Sequence, residues 1–187
     1  IHVKEVRLSR SLTRIEAFSF ANCTALGSIV IPDGVTLIAE GAFYGCTALE
    51  SIRLDAVALN DLSSSNYVFG NCGKTGNGIT VTVGSGVTRI PDYFLCPYLH
   101  NNTYTPNVTA ISFDAGSVCE SIGSYAFYRL SGVTGLSLPQ SLSSIGDSAF
   151  SGTSITSITI PDSVVKIGQR VFEDCKKLES VTIGKGV

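Results

Sequence analysis

Apolar side chains recur along this chain with a period of about 23 residues. Residues 20–26, with the sequence FANCTAL, align with residues 43–49, FYGCTAL, and matching apolar positions follow both segments. A phenylalanine marks each copy, at steps of 22 to 33 residues: Phe20, Phe43, Phe69, Phe94, Phe127, Phe150 and Phe172. This pattern indicates an array of about seven to eight repeats, most of them 22 to 26 residues long.

Each repeat is predicted to contain one short β-strand. Ile29 and Ile31 alternate with Ser28 and Val30, and this period of two turns the isoleucines inward and the other two side chains onto an open face. One such unit cannot bury its apolar side alone, so neighbouring repeats must stack into a parallel sheet with strands about 4.8 Å apart. Candidate strands lie around Val6, Ile29, Ile52, Val81, Ile111, Leu136, Ile158 and Val181.

The segment that leads into each phenylalanine is predicted to form one helical or 3-10 turn. Residues 147–150, Asp-Ser-Ala-Phe, are too few for a full helix but begin with a good capping residue. A period in the low twenties with a Leu-x-x-Ile-x-Ile core is typical of leucine-rich repeats. We therefore expect an α/β repeat fold, a right-handed leucine-rich-repeat solenoid, in which residues 1–187 form one domain.

The repeat sequence also resembles a particular family. Residues 31–49 read Ile-Pro-Asp-Gly-Val and then Ile-x-x-x-Ala-Phe-x-x-Cys-x-x-Leu, and Ile-Pro-Asp-Ser-Val returns at 160–164. This string resembles the BspA-like leucine-rich repeats, and the resemblance extends over nearly the whole chain. It implies a secreted or surface-exposed bacterial protein associated with adhesion to host or neighbouring-cell components, and it identifies no ligand.

The middle of the chain departs from the 23-residue unit. Extra residues lie near 55–66 and 73–79, and the unit between Phe94 and Phe127 is ten residues longer, mostly through an insertion at about 97–108. The array also begins and ends within repeats, without recognisable polar caps. We therefore expect further repeats or another domain beyond this chain.

The charge pattern argues against several classes of partner. The chain has 13 basic and 15 acidic residues, a net charge of −2, and neither sign forms a block. This excludes the usual electrostatic signature of nucleic-acid or anionic-membrane binding. No stretch reaches the roughly 18 consecutive apolar residues of a spanning helix, so no membrane insertion is expected, and we expect a monomer.

The six cysteines are predicted to be buried thiols. Four of them lie three residues after the phenylalanine of their own repeat, Cys96 lies two after Phe94, and Cys119 aligns with a core position. The strand spacing alone would permit a disulfide between Cys23 and Cys46, although side-chain direction argues against it. The four that share the column are Cys23, Cys46, Cys72 and Cys175.

Catalytic and metal sites are not expected, and no cofactor is implied. Cys96 and His100 have a plausible ligand separation, but zinc needs four ligands and no second pair matches. A histidine-dependent mechanism would have to use His100 or the near-terminal His2. The acidic residues stand in turns, where capping or solvation is their usual role, as at Asp147 and Asp162. An enzyme remains a remote alternative.

Two regions are candidates for ligand contact. The open sheet face is small and polar, with Thr80, Thr82 and Ser112 beside Arg53 as its main anchor. The insertion adds aromatic and amide groups outside the packing needs of the repeat: Tyr98, His100, Asn102 and Tyr104. We expect an extracellular protein or glycan as the partner. The alternative is a passive spacer whose insertion only covers the core and whose hydroxyl-rich face is merely solvated.

Overall fold

The computed structural model describes residues 2–97, 99 and 104–187. Its strands are all short, and each pairs in parallel with a strand of a neighbouring repeat. In the described residues they are β1 (Arg14–Ile15), β2 (Ser28–Ile31), β3 (Leu37–Ile38), β4 (Ser51–Leu54), β5 (Ile79–Val83), β6 (Arg89–Ile90), β7 (Val108–Phe113), β8 (Ser121–Ile122), β9 (Ser144–Ile145), β10 (Ser157–Ile160), β11 (Lys166–Ile167) and β12 (Ser180–Ile183).

The longer strands form the first side of the solenoid. Strands β2, β4, β5 and β7 make one parallel sheet, and β10 pairs with β12. The register aligns Ile29 with Ile52, Ile52 with Val81, and Val81 with Ile111, all of which are buried. The predicted strand is therefore confirmed for these six repeats, and buried and exposed residues alternate as predicted except in β12, where all four residues are exposed.

Two of the predicted strands do not form. Near Val6 the chain makes one isolated parallel bridge, between Glu5 and Ser28. Residues 131–139 contain no strand, although Leu136 still packs against the core. Gly135 precedes Leu136, and glycine weakens a strand because it gains nothing from side-chain packing and loses more entropy. The first side is consequently interrupted between β7 and β10.

A second parallel ladder, which the sequence did not predict, forms the second side. Strands β11, β9, β8 and β6 lie side by side in that order, and β1 pairs with β3. Each has two residues, and the second is an isoleucine that points into the core. Four repeats thus contribute two strands each, β2 with β3, β5 with β6, β7 with β8 and β10 with β11. The second strand forms because the chain turns back after the first side, where an apolar residue must again be shielded from water.

The third side is a ladder of turns, which we call the turn ladder. It surrounds the phenylalanines of successive repeats, which stack as the phenylalanine column. The predicted helical turn is not found there: in the described residues this segment has no helix. The N–H groups of Phe18, Phe20 and Asn22 donate to carbonyls of the next repeat at 3.0, 2.8 and 2.7 Å. Because these donors bond sideways, they cannot form the i to i−4 bonds of a helix.

Left-handed residues shape the turn ladder. In six repeats, the position two residues after the column phenylalanine has φ between +56° and +73°, and the position two before it also has positive φ. Such residues interrupt any right-handed helical run. The positions after the column are Asn22, Gly45, Asn71, Arg129, Gly152 and Asp174, and Tyr104, which follows the insertion, also has positive φ.

This backbone register corrects the alignment of the enlarged repeat. Leu95 donates to the carbonyl of Ala126 at 2.9 Å, as Phe20 does to that of Ala42, so Leu95 rather than Phe94 occupies the column. After the insertion, Tyr104 returns to the ladder: its carbonyl accepts from the N–H of Asn71 at 3.1 Å, as the carbonyl of Tyr44 accepts from Asn22. Residues 96–103 therefore form the insertion, which is narrower than the predicted range of 97–108.

Stacked rings and thiols fill the core behind the turn ladder. Phe20, Phe43 and Phe69 stack with ring centroids 5.3 Å apart at each step. The Cys46 thiol donates to the carbonyl of Phe20 at 3.2 Å, and Cys72 donates to that of Phe43 at 3.0 Å. All six cysteines are free and five are buried, which confirms the thiol prediction apart from the half-buried Cys175.

Candidate functional site

The predicted contact residues of the sheet face lie on three adjacent strands. Arg53 of β4 aligns with Thr82 of β5, and Thr82 aligns with Ser112 of β7. Thr80 lies two residues before Thr82 and points to the same side. The structure therefore brings these four residues together on one face.

Arg53 is held in place by two carboxylates. Its Nη2 lies 2.7 Å from Asp114 Oδ2, and its Nε lies 2.9 Å from the carboxylate of Asp55. The hydrogen bond to Asp114, followed by the one to Asp55, raises the pKa of Arg53, and the same guanidinium lowers the pKa of Asp114. The main anchor of the sheet face is thus part of an ion-pair network that spans three strands.

The hydroxyl groups of this face bond weakly to one another and to the sheet. Ser112 Oγ lies 3.4 Å from Thr82 Oγ1 and 3.5 Å from the carbonyl oxygen of Val81. Such contacts support neighbouring strands.

The predicted residues of the insertion divide into two groups. Tyr98, His100 and Asn102 lie outside the described residues. Tyr104 is described, and its side chain packs on the turn ladder against Tyr44 and Tyr67, with ring centroids 5.3 and 5.2 Å away. Tyr44 and Tyr67 also contact each other edge to face at 5.8 Å. We call Tyr44, Tyr67 and Tyr104 the tyrosine cluster.

The repeat geometry explains why these rings meet. Tyr44 follows Phe43 and Tyr67 comes two residues before Phe69, so their side chains leave the core while the phenylalanines enter it. Gly70 stands between them, where a Cβ atom would lie 2.9 Å from Tyr104 Cβ and 3.1 Å from Tyr44 Cδ2. The absence of a side chain at this one position makes room for the three rings.

The tyrosine cluster is partly exposed, and a hydrogen bond to Glu40 holds the Tyr67 ring in place. Tyr104 is 37% exposed, and Tyr44 and Tyr67 are half-buried. The Tyr67 hydroxyl donates to Glu40 Oε1 at 2.8 Å, and this bond is the main reason that the pKa of Tyr67 rises to about 12. The rings of the cluster have apolar faces and polar hydroxyl edges, both of which can contact a ligand.

A second tyrosine group lies on the other flank of the insertion. Tyr93 and Tyr125 stack at 5.2 Å with an interplanar angle of 5°, and Tyr125 meets Tyr128 edge to face at 5.3 Å. The Arg129 guanidinium lies 5.4 Å from the centroid of the Tyr128 ring, and its Nε donates to the Tyr128 hydroxyl at 3.0 Å. Desolvation by burial raises the pKa of Tyr93.

Sequence reasoning missed most of these aromatic residues. It selected Tyr104 for its place in the insertion and overlooked five tyrosines of the regular repeats. A usable signal was present, because each of them stands one residue after or two before a position of the phenylalanine column. The five are Tyr44, Tyr67, Tyr93, Tyr125 and Tyr128.

A family comparison identifies the repeat. The sequence matches the BspA type leucine rich repeat region in six copies, over residues 1–115 and 98–187. The chain belongs to the BspA-type leucine-rich repeat family. The resemblance stated from residues 31–49 is therefore confirmed, and so is the leucine-rich-repeat fold with parallel strands.

Solved structures to which this chain is similar include bacterial proteins. A leucine-rich repeat protein from Bacteroides ovatus is 19% identical, with a TM-score of 0.45, and the match covers 93% of this chain and 71% of that one. A leucine rich cell surface protein from Faecalibacterium prausnitzii is 23% identical, with a TM-score of 0.43 and coverage of 92% and 43%. The pneumococcal vaccine antigen PcpA is 20% identical, with a TM-score of 0.48 and coverage of 94% and 55%.

This BspA-type chain thus spans about half the length of the last two proteins. A comparison with proteins of curated function gives no match.

Aspartates join successive BspA-type repeats. Asp147 Oδ1 accepts the backbone N–H of Gln169 at 2.8 Å, and Asp162 Oδ1 accepts that of Lys185 at 2.9 Å. Asp92 accepts the N–H of Ser124 in the same way. These carboxylates do cap backbone donors, as the sequence suggested, but the donors belong to the following repeat.

The described part of the chain shows neither a metal-ligand group nor a membrane-spanning helix. Within it, no three histidine, cysteine or acidic side chains are grouped so that they could hold a metal ion. The same residues include no helix long and apolar enough to cross a membrane.

Proposed function

We propose that this chain is a non-catalytic binding module of a secreted or cell-surface bacterial protein. It binds an extracellular protein or glycan through the tyrosine cluster and the adjoining insertion. The observation that carries the proposal is the packing of three partly exposed tyrosine rings against one another on a rigid ladder. Tyrosines dominate many interfaces, and rings that are already ordered lose little entropy on binding.

The family supports the location and the absence of catalysis. BspA-like repeats are associated with surface-exposed bacterial proteins and with adhesion. The aspartates that an enzyme might have used are committed to backbone donors in the neighbouring repeat, as Asp92, Asp147 and Asp162 are. The repeats therefore supply a scaffold on which surface side chains do the binding.

The sheet face has a supporting part in this proposal. Thr80, Thr82 and Ser112 offer hydroxyl groups to a ligand that extends from the insertion, and Arg53 is pre-oriented for a polar contact by Asp55. A passive spacer is the second candidate function. The neutralisation of Arg53 by two carboxylates favours it, because the face then lacks an unpaired anchor.

The test replaces the rings without disturbing the ladder. Tyr104→Asn introduces asparagine, the residue that adopts the same left-handed conformation at Asn22 and Asn71. Tyr44→Ala introduces alanine, the residue that follows Phe20 in the first repeat as Tyr44 follows Phe43. A panel of matrix proteins and glycans is first screened for binding to the unmodified chain. We expect the double variant to lose at least about tenfold in affinity, or about 1.4 kcal/mol, with an unchanged melting temperature.

Phe18→Asn is the matched control. Phe18 is an exposed aromatic residue, 49% accessible, and also has positive φ, but it lies in the first repeat, away from the insertion. Binding that survives in the control and falls in the tyrosine variant supports the proposal. If the panel yields no ligand, or both variants bind like the unmodified chain, the spacer function replaces it.

A further inference from the structure

A groove along the turn ladder brings together basic residues that are far apart in the sequence. It has a volume of about 580 Å³ and begins beside the tyrosine cluster, at Lys74 and at residues 105–107, which follow Tyr104. From there it crosses Arg129 and Gly152 and reaches residues 174–177. These positions lie on successive coils of the turn ladder, so the groove runs along the solenoid axis.

Two glycines of the lining let neighbouring coils approach closely. A Cβ atom on Gly152 would lie 2.9 Å from Arg129 Cγ, and one on Gly132 would collide with the carbonyl oxygen of Val108. These glycines therefore fix the close spacing of the coils that carry the groove.

The charges along the groove are mostly of one sign. Four basic residues line it, against the single carboxylate of Asp174 among its described lining. The chain as a whole has a net charge of −2. A concave surface with clustered charge focuses its potential and attracts ligands of opposite sign. The four basic residues are Lys74, Arg129, Lys176 and Lys177.

One of these cations is already oriented. Arg129 lies over the Tyr128 ring and donates from Nε to its hydroxyl at 3.0 Å, which leaves the remaining guanidinium nitrogens directed away from that bond. A planar guanidinium in a fixed position suits bidentate pairing with carboxylate or sulfate groups. Arg129 therefore has the geometry of an anion-binding anchor.

We infer that this groove binds an anionic glycan, a polysaccharide that carries carboxylate or sulfate groups. The lining between the cations consists of hydroxyl and amide side chains such as Thr105, Asn107 and Ser131, which match sugar hydroxyls. Pro106 is its one apolar side chain among the described residues, whereas peptide ligands draw most of their affinity from apolar and aromatic anchors. The groove crosses five coils, or about 19 Å at a spacing of about 4.8 Å, which suits a polymer.

This inference rests on the proposed binding function and narrows its ligand class. The experiment is calorimetric titration of the full chain with a sulfated heparin hexasaccharide, an oligogalacturonate, a neutral dextran oligosaccharide and poly-glutamate. We expect saturable binding of at least one anionic glycan, none of the dextran, and weaker binding as NaCl rises from about 50 to about 500 mM. The sulfated and carboxylated arms identify which acidic group is recognised.

Variants tie the binding to the groove. Lys176→Gln with Lys177→Gln is expected to lower the affinity for the anionic glycan at least about tenfold. Lys4→Gln with Lys166→Gln removes the same charge from exposed residues outside the groove and is expected to change it less than about twofold.

Three results would overturn the inference: no saturable binding of either anionic glycan, an equal loss in both pairs of variants, or poly-glutamate binding as tightly as the glycans. A neutral ligand from the first screen separates the two proposals. If it is lost in the tyrosine variant and kept in the lysine variant while no anionic glycan binds, the groove inference fails and the proposed function stands.

Discussion

At the scale of single residues, hydrogen bonds explain why cysteine recurs three residues after the phenylalanine of a repeat. Cys46 and Cys72 each donate to a phenylalanine carbonyl of the preceding repeat. Thr153 occupies the same column, and its hydroxyl donates to the carbonyl of Phe150 at 2.8 Å. A thiol or hydroxyl at this position thus bonds to a carbonyl, whereas Leu130 fills the equivalent position with an aliphatic side chain, so the position does not need the redox chemistry of sulfur.

The buried thiols should be unreactive in the folded chain. Desolvation by burial raises the pKa of Cys96 to about 12 and that of Cys119 to about 11, from 9.0. We expect iodoacetamide at about pH 8 to label both at least about 100-fold more slowly than in urea, because alkylation requires the thiolate. Mass spectrometry of timed samples measures this, and equal rates in both conditions would contradict it.

The same shifts predict a dependence of stability on pH. The unfolded thiols ionise near pH 9.0 while the folded ones stay protonated up to about 11 or 12. Their contribution to stability is therefore complete below pH 9 and is lost as the pH rises through the folded values. Urea unfolding at pH 8 and pH 10 should show a lower free energy of unfolding at pH 10, with a smaller loss after Cys119→Val.

At the scale of elements, the spacing of the coils depends on glycines that follow the second strand. Gly146 comes directly after β9, and a Cβ atom there would lie 2.5 Å from the backbone nitrogen of Ser124. Gly168 stands in the same place after β11, and its Cβ would lie 2.5 Å from Asp147 Oδ1. These glycines allow one backbone to lie closely against the next.

Gly146→Ala should therefore destabilise the fold. The added methyl group meets backbone atoms of the neighbouring coil that cannot rotate away, so we expect a loss of about 1–3 kcal/mol in the free energy of unfolding. Gly135→Ala is the control, because no atom lies within 4 Å of its Cβ position, and it should be neutral or slightly stabilising. Urea unfolding curves compare the two, and equal midpoints would refute the packing argument.

At the scale of the whole molecule, the insertion is an addition to a ladder that continues across it. Leu95 and Tyr104 keep the ladder bonds that Phe43 and Tyr44 make in the second repeat, and eight residues separate them where the other two are adjacent. The stack of coils is thus independent of the insertion, which is where an added function can be carried without changing the scaffold.

Deletion of residues 96–103 tests this independence. It joins Leu95 directly to Tyr104, as Phe43 is joined to Tyr44. We expect the circular dichroism spectrum to be unchanged and the chain to stay folded, because loop length has a small entropic cost and the ladder bonds remain. Binding of a ligand that depends on Tyr104 should fall at least about tenfold, and loss of the native spectrum would contradict the modular view.

The repeat and its core were predictable because they depend on local alternation and a fixed period. Ile29, Ile52 and Val81 took the predicted places, and the buried thiols followed from their column. The helical turn was wrong because Asp147 looked like an N-cap, whereas its carboxylate accepts an N–H of the next repeat. The second strand was missed because two residues are too few to show a period of two.

The site was predictable only in part. Tyr104 stood out because it lies in an insertion, but Tyr44 and Tyr67 meet it only through stacking of coils, with Gly70 making the room. Arg53 was identified as an exposed anchor. Its pairing with Asp114 joins two residues that are 61 positions apart in the sequence.

By itself, the sequence determined that the apolar positions must be buried by stacking repeats of about 23 residues, because no single repeat can keep them dry. Only the tertiary structure decided which polar groups share a surface. Lys74 and Lys177 are far apart along a chain without charge blocks, yet they line one groove. The physical reason is that a coil places residues of different repeats about 4.8 Å apart, while the left-handed turns set the direction of each side chain.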